Sequence, residues 1–106
     1  MAYDEALAAE VRDHLSGEPG VTERAMFGGL AFLIDGHMAV VVSGRGQLMV
    51  RVPPERTEEL LAEPHARPTV MNNRELRGWV DVEGVGVDVP RWAGLGVSCA
   101  RALPPK

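Results

Sequence analysis

Residues 24–36, RAMFGGLAFLIDG, decide how this chain is read. Gly28 and Gly29 sit inside an apolar run that otherwise looks like a strand, and glycine weakens strands. A Walker loop would need G-x-x-x-x-G-K-[ST], and the chain has no lysine before Lys106. A dinucleotide fingerprint places its glycines between a strand and a helix, whereas this pair leads into a strand. The remaining readings are a bulge or bend at the start of the first strand, or a point of close backbone approach.

Outward from that stretch the pattern is β. Asp35-Gly36 is a hairpin-turn dipeptide, and Gly44-Arg45-Gly46 supplies a second turn. Three strands are expected, over roughly 26–34, 38–43 and 47–52, as an antiparallel meander. Leu30, Phe32, Ile34, Met38, Val40, Val42, Leu48, Val50 and Val52 alternate onto one face, which should receive the helices. The opposite face carries Phe27, Ala31, Leu33, Ala39, Val41 and Met49, with Gln47 and Arg51 as polar members. That is more apolar than a solvated sheet face, so it is expected to meet another surface.

Helices flank the meander. Leu7, Val11 and Leu15 recur at helical spacing over residues 4–15, with Asp4 placed to cap the start and Ser16-Gly17 to end it. Pro53-Pro54 opens a second helix over 55–63, stopped by Pro64. RPTVMNNRELRGWVDV (67–82) reads as two strands around Asn72-Asn73, residues that tolerate left-handed geometry. Asp88 and Pro90 start a last helix with Trp92, Leu95, Cys99 and Leu103 on one stripe. Gly94 and Gly96 weaken it, so it must lean on packing, and they allow close approach to the sheet. The result is a two-layer α+β domain, α-β(3)-α-β(2)-α, with an antiparallel sheet of five strands.

Composition bounds the function. The 106 residues make one domain, 1–106, and the 45 % apolar and 25 % charged content is that of a folded soluble chain. Residues 1–23 hold six acids and one base, against nine acids and ten bases elsewhere, so one acidic helix sets the net charge of −4. A whole-molecule basic field for nucleic acid is absent. The start lacks a signal peptide, and no apolar run reaches a membrane span, so a cytoplasmic protein is expected.

Chemical motifs are sparse. His14, His37, His65 and Cys99 lack paired metal-ligand spacing, and no metal or cofactor is expected. Cys99 lies on an apolar stripe, where an inert thiol is the default. Ser43-Gly44-Arg45-Gly46 is no nucleophile elbow, and Glu58-Glu59 read as a solvated helix face. No catalytic constellation emerges. Arg67, Arg74 and Arg77 lie within eleven residues and Trp79 follows, a grouping that could hold an anion or a stacked base. Its plainer alternative is side-by-side packing of Arg77 and Trp79 on the second sheet face.

AMFGGLAFLIDGHMAVVV, LMVRV, LRGWVDV and the ending ARALPPK together resemble the N-terminal domain of TfoX/Sxy-type proteins, along essentially the whole chain. The most specific pieces are Met26-Phe27-Gly28-Gly29 before a strand and a D-G turn, then Gly78-Trp79. The resemblance implies a two-layer domain like the type III secretion chaperones, here as a stand-alone single-domain member. Named members regulate natural competence with the cyclic-AMP receptor protein at promoters and carry a further C-terminal helical domain; the family supplies no catalytic residues. The expectation is a non-enzymatic interaction module, a homodimer, with Phe27, Gly28, Gly29, Leu33, Val41, Met49 and Trp79 as interface residues. A small anion- or nucleic-acid-binding domain using Arg67, Arg74, Arg77 and Trp79 is the alternative.

Overall fold

The computed structural model describes residues 4–26, 28–44, 46–83 and 88–104. The chain opens with α1 (Glu5–Leu15), whose Asp4 side chain accepts from the Leu7 amide at 3.0 Å as an N-cap. Strands β1 (Val21–Met26), β2 (Gly29–Ile34), β3 (His37–Val42) and β4 (Leu48–Arg51) follow as consecutive antiparallel neighbours. A short 3-10 turn at Pro54–Arg56 runs into α2 (Thr57–Leu61), then β5 (Ala66–Met71) and β6 (Arg74–Val82) form a hairpin. Asp88 caps α3 (Val89–Arg101) by accepting from the Arg91 amide.

The sheet has six strands, in the order β1-β2-β3-β4-β6-β5, where five were expected. The additional strand is β1. The segment expected as one strand over 26–34 is the end of β1, the connection that follows it, and then β2, with Met26 opposite Gly29. Gly28 sits in that connection at φ +72°, a backbone region that glycine enters without strain. The Asp35-Gly36 and Asn72-Asn73 turns have all four residues at positive φ, as the primed hairpin turns require.

Both long helices lie on one face of the sheet. Ala8, Val11 and Leu15 of α1, with Val89, Trp92, Ala93, Val97 and Ala100 of α3, close on Phe32, Ile34, Val40, Val42, Leu48, Val50, Val80 and Val82. Phe32, Ile34, Val40 and Val50 are fully buried, each contributing about 1.5–3 kcal/mol by leaving water. The crossing point of α3 is Gly96: a Cβ there would collide with the Ala39 carbonyl oxygen and come within 2.8 Å of Val40 Cγ2. Gly94 faces open space instead, so of the two glycines only Gly96 serves close approach.

A register shift between Phe32 and Leu33 corrects the face assignment on β3. Leu33 pairs with Met38 while Phe32 pairs with Val40, so Ala39 is the extra residue. One extra residue swaps the faces of those on its far side. Ala39 therefore joins the main core, and Met38 moves to the opposite face. Among the described residues, no helix is long and apolar enough to cross a membrane.

Candidate interaction face

The sheet face turned away from the helices carries its own small cluster. Ala31, Leu33 and Val41 are buried there, and Met38, Met49 and Trp79 pack partly buried around them. Register places Ala31 opposite Val41, and Val41 opposite Met49, so a row of apolar pairs runs across β2, β3 and β4. The apolar side chains buried by the helices all belong to the other cluster. No helix covers this face among the described residues.

Arg51 is the polar centre of the face. It stands opposite Trp79, its guanidinium lies 4.9 Å from the indole centroid, and its Nε donates to the Met38 carbonyl at 2.6 Å. A guanidinium over an indole is worth about 0.5–1 kcal/mol where water reaches it. The arginine thus pins Trp79 and the start of β3 together, and its aliphatic stem shields apolar surface.

Trp79 is aimed by its neighbour. Gly78 has φ +91°, and its amide donates to the buried Thr57 Oγ1 at 3.1 Å, while its carbonyl accepts from the Val52 amide. This left-handed residue bends β6 just past the end of β4 and ties α2 to the sheet. Thr69 and Asp81, joined by a 2.6 Å hydrogen bond, continue the same face on the far strands.

The expected interface residues divide three ways. Leu33, Val41, Met49 and Trp79 meet in the cluster just described. Gly28 and Gly29 lie at the β1–β2 turn; a Cβ on Gly29 would collide with the Val42 carbonyl oxygen and lie 3.1 Å from Ser43 Cα. Phe27, like Arg45 of the second expected turn, lies outside the described residues. Arg51 and Met38 were not singled out as interface residues. The pairing of Arg51 with Trp79 follows from strand register, and the displacement of Met38 from a bulge with no sequence mark.

The three other arginines are spread out. Arg67 forms an ion pair with Glu83 at 3.1 Å, and Arg77 donates to the Pro54 carbonyl at 3.3 Å. Arg74 sits at the β5–β6 hairpin tip opposite Met71, roughly 13 Å along the strand from Arg67 at the usual rise. Arg77 and Trp79 do line one cleft, of about 390 Å³. Glu55, Glu58 and Glu75 line it too, so carboxylates outnumber the guanidinium there.

Burial raises the Cys99 thiol above its ordinary value, with the nearby Arg51 charge partly opposing it. Among the described residues, no three His, Cys, Asp or Glu side chains come together as a metal site.

The profile of the TfoX N-terminal domain matches residues 13–98, which takes in the end of α1, every strand, α2 and most of α3. No curated protein and no solved structure matches the chain.

Proposed function

The chain belongs to the TfoX N-terminal domain family, and from that premise we propose that it is a non-enzymatic, homodimeric interaction module of competence-type regulation. The interaction part of this reading is carried by the helix-free sheet face, and the homodimer part by the unpaired β1 edge of the sheet. Met38, Met49 and Trp79 stand there partly buried over Ala31, Leu33 and Val41. Methionine adapts its shape to a partner, and tryptophan supplies a large anchor at little entropic cost. Arg51 beside them offers a directional polar contact at the centre of the patch.

The partner of this face is a transcription regulator, and the cyclic-AMP receptor protein is the one the family points to. Sedimentation of the two purified proteins together tests it. A co-sedimenting complex is expected, lost in Met49→Glu, which places a carboxylate in the apolar row without opening the main core. A complex unchanged by Met49→Glu would remove the face from the account, and no complex at all would remove this partner.

A further inference from the structure

The two edges of the sheet are built differently. At one edge β5 carries Pro68, which has no amide proton, and a register shift between Pro68 and Val70. Both are devices that blunt an edge against pairing with another chain. At the other edge β1 runs six residues against β2 in unbroken register, with no proline or bulge; of its two charges, Glu23 is neutralised by Arg12 and Arg24 stands on the outer face. An edge left this regular is a template for another strand.

Its open hydrogen-bonding groups can be assigned. The Gly20 carbonyl accepts from the Asp35 amide at 3.1 Å, one step beyond the Val21–Ile34 pair. In an antiparallel ladder the bonded pairs alternate, so Gly20, Thr22, Arg24 and Met26 bond to β2. The amides and carbonyls of Val21, Glu23 and Ala25 then point away from the sheet.

We propose that β1 pairs antiparallel with β1 of a second copy of this chain, about a two-fold axis beside Glu23, merging two sheets into one. The proposal rests on the homodimer reading above and names its surface. Centred on Glu23, Val21 faces the second copy's Ala25, and Glu23 faces the second copy's Glu23. All three outward residues of each copy then find a partner, in roughly six backbone hydrogen bonds.

Charge supports the same register. Arg12 of α1 holds both carboxylate oxygens of Glu23, at 2.7 and 2.8 Å, so two neutral pairs meet on the helix side. On the opposite side Thr22 faces the second copy's Arg24. Sliding the centre by one residue toward the C-terminus would instead bring two Arg24 side chains together, and Arg24 has no acidic partner among the described residues.

A hollow of about 280 Å³ between α1 and β1, lined by Leu15, Val21 and Phe32 among others, opens beside this edge. The contact of Val21 with the second copy's Ala25 closes it. A six-residue ribbon buries less than the roughly 800 Å² per partner of a standard interface, so a reversible, concentration-dependent dimer is expected. The outer sheet face stays free for a different partner.

Charge reversal tests the surface. Glu23→Lys would gather four cations at the two-fold axis and is expected to give a folded monomer in sedimentation. Adding Arg12→Glu restores the two neutral pairs and is expected to restore the dimer. In the parent, exchange of the Val21, Glu23 and Ala25 amides, read by NMR, should slow at least about tenfold as concentration crosses the dimer range. A parent dimer that survives Glu23→Lys, or whose three amides exchange at the same rate at every concentration, overturns this edge and leaves the homodimer reading standing. A parent that is monomeric throughout the micromolar range overturns both.

Discussion

Gly94 and Gly96, two residues apart on α3, ask for opposite outcomes from the same substitution. Gly94→Ala adds a methyl in open space within a helix, and the propensity gain of about 1 kcal/mol should appear as added stability. Gly96→Ala drives a methyl into the Ala39 carbonyl, so α3 must lift from β3 and stability should fall in spite of the same propensity gain. Denaturant unfolding of the two variants reads the signs directly; equal effects would mean that α3 does not cross the sheet at Gly96. The ion pairs make a second residue-scale statement. Hydrogen bonds from Arg12 and from Arg91 hold the Glu23 and Glu63 carboxyls below their ordinary value of 4.5. A carboxylate lowered in the folded state binds fewer protons there than when unfolded. Its stabilisation is present above 4.5 and lost as pH falls through the folded value. Thermal midpoints followed downward from about pH 5 should therefore drop less steeply in Glu23→Gln/Glu63→Gln than in the parent.

At the scale of elements, legibility tracked how strongly each segment was patterned. The caps Asp4 and Asp88, and the turns at 35–36 and 72–73, could be read because each has a local cause in side-chain capping or left-handed backbone. The strand β1 could not. In VTERAM, Thr22, Glu23, Arg24 and Ala25 are all exposed, so an edge strand with little to bury carries no hydrophobic alternation. Its one local signal was Gly28, a turn residue between two runs. The bulge on β3 was invisible for a different reason. HMAVVV is apolar at every position after His37, so a slip of one residue leaves no trace in composition. The site inherits both limits. Leu33, Val41, Met49 and Trp79 were legible from alternation, whereas Met38 and the Arg51–Trp79 stack depend on register between strands distant in sequence.

For the whole molecule, the six-stranded sheet divides its labour. One face holds the core under α1 and α3, the other presents the methionine and tryptophan patch, one edge is blunted, and the β1 edge is open. The claim on which this account turns is that the chain self-associates, and sedimentation equilibrium across the micromolar range measures it most directly. A self-associating chain shifts with concentration from 11.4 kDa to twice that mass. A single species of 11.4 kDa at every concentration would contradict it.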